Sequence, residues 1–191
     1  MPPPDLATLP DGRLAALALA GSQAAFRELV RRYERPVLSL VVRIVRDPAL
    51  AEDLAQDSFV KAFQALASFD PRRRFSSWLF RIAHHIALDA LRRRQPETVT
   101  LDDPAATEPS IEPVDPADRL ALARALDDAL GRLRAEHRAA LVLRYHEGLS
   151  YAEIAEALGI PEGTAKTYVH RARQQMAALL ERAGWARPKE P

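Results

Sequence analysis

The stretch EGLSYAEIAEALGIPEGTAKTYVHRARQQM, Glu147–Met176, constrains this chain more than any other. Ser150 is followed three residues later by Glu153, the spacing of a capping box, which starts a helix. Ile154, Ala155 and Leu158 give that helix a narrow apolar stripe, and Gly159 suits a left-handed turn at its end. Pro161 fits the first position of a second helix, where a missing N–H costs nothing. Along it Ala165, Val169, Ala172 and Met176 recur on one face. The other side carries Lys166, Thr167, His170, Arg171, Arg173 and Gln174. Two short helices around a glycine turn, the second apolar inside and basic outside, make a helix-turn-helix. That arrangement lays a recognition helix in a DNA major groove.

Net charge is only +1, so any affinity for DNA must come from the placement of charge and not from its sum. Lysine occurs only at Lys61, Lys166 and Lys189. Arginine supplies the rest, and its planar fork suits phosphate and guanine. Hydrophobic residues make up 48% of the chain and aromatics 6%, so the core should be mostly Ala, Leu, Val and Ile. The absence of cysteine excludes disulfides, thiolate zinc sites and thiol redox sensing. No apolar run reaches the length of a membrane span, and the N-terminus lacks a signal-peptide pattern. A cytoplasmic protein without membrane insertion is expected.

Upstream, residues 1–21 form an N-terminal segment whose first ten residues read as Pro-rich and disordered. Asp11 could cap a short helix through Leu14, Leu17 and Leu19. Ser22 could cap the next, spaced by Phe26, Leu29, Val30 and Tyr33, and Pro36 should kink or restart it. Val37–Val45 suits helix or strand, and its helical surroundings favour helix. Asp47-Pro48 reads as the cap and first residue of a further helix. Leu50, Leu54, Phe63 and Leu66 should face inward there. Glu52, Asp53, Gln56 and Asp57 leave an acidic, amide-bearing surface near its start. Acids at that end also complement a helix dipole with no partner at all.

Asp70-Pro71 opens the loop DPRRRFSS, and a helix should run from about Ser77 to Arg94, packed by Trp78, Ile82 and Ile86. Arg72, Arg73, Arg74, Arg81, Arg92, Arg93 and Arg94 stand there against Asp89 alone, with Phe69, Phe75, Trp78 and Phe80 among them. Arginines interleaved with aromatics suit single-stranded nucleic acid, where bases stack and phosphates pair with charge. The same pattern suits core aromatics beside a solvated basic loop, and spacing alone does not choose.

At Gln95-Pro96 the composition changes. Through Asp118 the chain carries seven acids and five prolines, with no Lys or Arg. This is a flexible acidic linker, residues 96–117, whose strand-like scrap Thr98–Leu101 earns no credit. Leu120, Leu122, Leu126, Leu130 and Leu133 then belong to one helix, and Ala139, Leu141, Val142, Leu143 and Tyr145 to the next. Residues 183–191 read as a frayed tail. The expectation is an all-α chain: two small helical domains, residues 22–95 and 118–182, on either side of the linker.

Three segments, in this order, resemble bacterial RNA polymerase sigma factors of the extracytoplasmic-function group. AEDLAQDSFVKAF resembles the helix by which region 2 binds RNA polymerase. RFSSWLFRIAHHIALDALRRR is similar to the segment that opens and reads the −10 element. LVLRYHEGLSYAEIAEALGIPEGTAKTYVHRAR resembles region 4, which reads the −35 element. The resemblance covers about residues 22–182. It implies an alternative sigma factor that binds core polymerase and directs promoter recognition and transcription initiation, in a stress or envelope response. It implies no catalysis, cofactor or metal.

Carried over residue by residue, Asp53, Gln56 and Asp57 would dock on the clamp coiled coil of the β and β′ subunits. Arg72, Arg73, Arg74, Phe75, Trp78, Arg81, His85, Asp89, Arg92 and Arg93 would hold the melted −10 strand. The loop Asp70–Ser77 would take a flipped base. Lys166, Thr167, Tyr168, His170, Arg171 and Arg173 would read the −35 duplex. The linker would thread toward the polymerase active-site channel. A cognate anti-sigma factor is a further expected partner. His85 stands where many members carry Asn, and Thr167-Tyr168 where many carry Ser-Arg.

Three rival readings explain less. A sigma-like decoy for an anti-sigma factor needs no basic recognition helix, yet Lys166, Arg171 and Arg173 are present. A two-domain repressor or activator leaves the acidic helix start and the arginine-aromatic segment without a role. A metal-dependent nuclease would rest on His85 and Asp89 alone, two ligands on one helix.

Overall fold

Residues 5–94 and 116–185 are described by the computed structural model, and their regular structure is helical. A short 3-10 turn, Leu6–Thr8, opens the described chain. Arg32 tethers it by donating to the carbonyls of Leu6, Ala7 and Leu9. Residues 5–10 are therefore held in place, against the expectation of disorder; the first four residues lie outside the described set. Helix α1 (Asp11–Leu19) follows. Asp11 is its first residue and not its cap, because Arg32 and the Tyr33 hydroxyl draw the carboxylate away from the helix end. Leu14 and Ala15 are buried, so α1 shares the N-terminal core instead of standing apart from it.

Helix α2 (Gln23–Val45) starts where Ser22 Oγ accepts the Ala25 N–H at 3.3 Å. It runs through Pro36 without restarting. Leu29 on one side of the proline and Val37, Leu40 and Val41 on the other are fully buried. That packing outweighs one missing backbone hydrogen bond. Arg46 ends the helix in the left-handed conformation, at φ 56°.

Asp47 accepts the Leu50 N–H at 3.1 Å and, with Pro48 next, opens α3 (Pro48–Ala65), which tightens into a 3-10 turn over Leu66–Ser68. Its buried stripe is Ala51, Leu54, Ala55, Ser58 and Ala62. All but Leu54 are small and let the backbone lie close to its neighbours. That register leaves Phe63 outside, contrary to expectation: it is 54% exposed and stacks edge-on against Phe26, with ring centroids 4.9 Å apart.

Helix α4 (Phe75–Arg94) begins two residues before the expected Ser77. Phe75 is buried against Phe69 and Trp78 and anchors the first turn.

The second unit begins with α5 (Pro116–Arg132), whose first residues fall inside the segment expected to be linker. The rest of that segment, Thr98–Leu101 included, lies outside the described residues. Leu133 is buried, but Leu120 and Leu126 are exposed, so the leucine spacing of α5 is only partly used. Then come α6 (Ala135–Tyr145), α7 (Tyr151–Leu158) and α8 (Glu162–Arg182). The two units share one continuous apolar core, with α4 against α7 and α2 against α6. No described helix is long and apolar enough to cross a membrane.

Candidate nucleic-acid interfaces

The capping box closes in both directions. Ser150 Oγ accepts the Glu153 N–H at 3.3 Å, and Glu153 Oε2 accepts the Ser150 N–H at 2.7 Å. Gly159, at φ 69°, makes the left-handed turn out of α7. Pro161 takes the N-cap position of α8, one residue earlier than expected. Ala165, Val169 and Ala172 are buried against the rest of the unit. This leaves Lys166, Thr167, His170 and Arg171 exposed on the outer side of α8. Lys166 pairs with Glu162 at 3.1 Å, and Thr167 Oγ1 donates to the Gly163 carbonyl at 2.9 Å. Tyr168 and Arg173 are half-buried, and Tyr168 stacks on His137 with centroids 4.9 Å apart. Burial holds the His137 imidazole below its usual range.

Along α4 the two readings of the arginine-aromatic segment separate residue by residue. Phe69, Phe75 and Phe80 are core side chains. Phe75, placed by sequence among the strand-binding residues, is only 3% exposed and presents no face to a ligand in this structure. Trp78 is half-buried and lines an open cavity of about 600 Å³. Arg81, His85 and Asp89 line it as well, with Lys61 from α3 and Glu156 from α7.

The Arg81 carbonyl lies 2.7 Å from His85 Nδ1. A carbonyl can only accept, so Nδ1 carries a proton and donates it to this contact, which turns Nε2 away from the helix backbone. Asp89 pairs with Arg92 at 3.1 Å, and Arg93 is exposed. Arg72 turns back on Asp70 at 2.9 Å and holds that carboxyl down at about 2.

Arg73 and Arg74 reach the other unit instead. Arg73 pairs with Glu156 at 3.0 Å and Arg74 with Glu153 at 2.6 Å, both on α7. The Gly159 turn lies above Arg81 and His85. The structure thus brings the basic loop and the first helix of the helix-turn-helix together, which no periodicity foretold.

Asp53, Gln56 and Asp57 are all exposed on α3, as expected. Val60 and Phe63 continue their face at helical spacing and are 55% and 54% exposed. With Phe26, Phe59 and Arg27 they border an open groove of about 410 Å³. Neither Val60 nor Phe63 was expected on this face, and Phe63 was expected to face inward. The signal available was their spacing from Asp53 and Gln56 on the same helix.

A family model described as Sigma-70 region 2 matches residues 29–97, and one described as Sigma-70, region 4, matches residues 123–176. The ECF RNA polymerase sigma factor SigW of Bacillus subtilis is 34% identical over 170 residues, covering 84% of this chain and 91% of SigW. CnrH, solved in complex with the cytosolic domain of CnrY, superposes with a TM-score of 0.69 at 33% identity, covering 90% of this chain and 97% of that one. The sigma factor RpoE, solved with the anti-sigma factor NepR from Bartonella quintana, gives a TM-score of 0.62 at 25% identity, covering 82% and 96%.

Proposed function

This chain belongs to the extracytoplasmic-function group of bacterial RNA polymerase sigma factors, and on that premise we propose how its surfaces divide promoter recognition. It is an alternative sigma factor that binds core RNA polymerase and directs it to promoters for transcription initiation. The region 2 unit spans the helices α1 to α4 and the region 4 unit α5 to α8. Asp53, Gln56 and Asp57 contact the β and β′ subunits. Val60 and Phe63 supply the apolar centre of that contact, inside a polar rim. The opened −10 strand lies along α4, with one base on Trp78 in the cavity beside Arg81 and His85. Arg93 and the arginines of the loop hold phosphates. Phe75 supports this site from the core.

The −35 duplex takes α8 in its major groove. Lys166, His170 and Arg171 face base edges or flanking phosphates, Thr167 lies beside them, and half-buried Tyr168 and Arg173 set the rim. The protein specifies where chemistry starts and makes or breaks no bond itself. Its place of work is the cytoplasm, where polymerase and promoters are. A cognate anti-sigma factor is the remaining partner, a reading supported by the structure of the relative RpoE with NepR.

The observation that carries this reading is the coexistence of two unlike surfaces in one chain. One is a basic recognition helix shaped for duplex. The other is a helix whose one accessible tryptophan lines an arginine- and histidine-edged cavity that a base can enter. The test is transcription by core RNA polymerase reconstituted with this chain on a promoter library. Transcripts that start only when the chain is present, downstream of a shared pair of elements, are expected. Tight sequence-specific duplex binding by the chain alone, with no such transcripts, would show a repressor instead.

A further inference from the structure

Neither DNA surface includes α1, yet the chain leading into it is firmly held. Arg32 of α2 donates all five of its N–H groups: to the carbonyls of Leu6, Ala7 and Leu9, to Asp11 Oδ1 at 2.7 Å and to Glu28 Oε1 at 2.9 Å. The other oxygen of the Asp11 carboxylate accepts the hydroxyl of Tyr33. The first residue of α1 is therefore fixed at both oxygens by adjacent residues of α2. Arg32 fastens the chain, whereas Tyr33 connects it to the cavity of Trp78.

Tyr33 is half-buried, with its ring on Phe75 at 5.6 Å between centroids and edge-on to Phe80 at 6.3 Å. Phe75 packs on Trp78 at 5.4 Å, and Phe69 closes the cluster at 5.4 Å from Phe75 and 5.5 Å from Trp78. Burial, then Asp11, push the Tyr33 phenol above its usual range, so it keeps its proton and stays a donor. From the loop side, the charge of Arg74 and the hydroxyl of Ser76 act on the same phenol with opposite sign. The start of α1 also touches the loop directly: a Cβ on Gly12 would stand 3.8 Å from the Pro71 carbonyl. A path of contacts thus runs from the Asp11 carboxylate to the ring that lines the cavity.

Stacking on a base depends on the plane of a ring as well as on its exposure. Apolar contacts are not directional, so phenylalanines behind a tryptophan can slide, whereas a hydrogen bond holds an angle. Of the four rings Phe69, Phe75, Phe80 and Tyr33, only the tyrosine carries such a bond. We propose that Asp11 and Tyr33 are positioning residues of the −10 site: through Phe75 they fix the plane in which Trp78 meets a base, which makes the start of α1 part of strand recognition. This rests on the reading of α4 as the strand site.

Tyr33→Phe keeps the buried ring and drops only the bond to Asp11. Asp11→Ala removes the acceptor. Asp11→Asn can restore both contacts, its carbonyl oxygen accepting from Arg32 and its amide donating to the Tyr33 oxygen. The chain has two tryptophans, so Trp185→Phe leaves Trp78 alone to report. In that background, acrylamide quenching of Trp78 is measured in the full chain. In parallel, core polymerase reconstituted with each variant is titrated with a fluorescent single-stranded −10 template, below the unfolding transition of each variant.

Tyr33→Phe and Asp11→Ala should raise the quenching of Trp78 and weaken strand binding by about threefold or more, the range of one hydrogen bond. Asp11→Asn should return both readouts to wild type. A lower unfolding temperature with unchanged quenching and strand affinity overturns the proposal, because the bond then serves the fold alone. Failure of Asp11→Asn to restore binding overturns it too, since charge and not position would then matter. Trp78→Ala tells these failures from a wrong strand site. If it weakens strand binding while Tyr33→Phe does not, α4 stands as the site and the positioning falls. If Trp78→Ala binds as wild type, the strand site falls and the positioning with it.

Discussion

Arg74 Nη1 lies 2.6 Å from Glu153 Oε1, while Oε2 of the same carboxylate accepts the Ser150 N–H. One side chain therefore both caps the helix-turn-helix and ties it to the basic loop. Burial pushes the Glu153 carboxyl up, but the Ser150 N–H and Arg74 outweigh it, and the group sits below its ordinary range.

Glu153→Gln keeps an acceptor for the cap and loses the ion pair. Arg74 is 65% exposed, so the pair should contribute about 1 kcal/mol or less. Glu153→Ala loses both and should cost about 1 kcal/mol more. Denaturant unfolding of the two variants in low and high salt checks this. The cost of Glu153→Gln should shrink with salt, whereas the added cost of Glu153→Ala should persist.

His84 makes the fold sensitive to mild acid. It is 4% exposed, and both ring nitrogens are buried with no partner. Burial, reinforced by His85 and Arg92, lowers it from 6.5 to about 4. The unfolded chain therefore takes up a proton on this group before the folded one does. Its contribution is complete above 6.5 and falls as pH drops toward about 4, a loss on the order of 3 kcal/mol. Leucine satisfies the site without a proton to take up, so His84→Leu should flatten this part of the stability curve. A slope equal to wild type would refute the assignment.

Phe75 and Trp78 should separate cleanly. Phe75→Ala removes a buried ring and should cost about 3–5 kcal/mol of stability. Trp78→Ala should cost less stability and weaken use of a pre-melted −10 strand by about 1–3 kcal/mol. Thermal unfolding and binding of the reconstituted polymerase to a single-stranded template measure the two effects. Equal losses of stability would mean that Trp78 too is purely structural.

Arg171→Ala should act earlier, on duplex. A bidentate base contact would change discrimination at one −35 position by about 1–3 kcal/mol. A phosphate contact would instead weaken all sequences alike and lower the salt slope by about one. Either defect should disappear on a pre-melted template lacking the −35 element, and persistence there would contradict the division of labour.

Asp53→Ala with Gln56→Ala should weaken binding to core polymerase while moving the thermal transition by a few degrees at most, since both side chains are exposed. Phe63→Ser should weaken it further, because the exposed ring is a natural anchor beside them. Fluorescence titration of labelled protein with core enzyme gives both affinities. Unchanged binding in the Phe63 variant would leave that ring to another partner.

What the sequence determined by itself was local. Ser150 with Glu153, Asp47 with Pro48, and Gly159 act on neighbours within a few positions, so their helix starts and stops are legible in one dimension. The apolar periodicity of α8 likewise set which side of the recognition helix faces out, because one helix has one buried face. Tertiary packing decided the rest. Phe63 and Phe75 are both phenylalanines on amphipathic helices, yet one lies outside and one in the core. The register of small residues on α3 and the ring cluster around Phe69 chose between them. The joining of the two units was invisible for the same reason. Arg138 meets Ile44 from 94 residues away and Arg46 meets Asp127 from 81. The end of α2 at Val45 leaves the Ile44 carbonyl without a helical partner, but only the folded chain decides which arginine satisfies it.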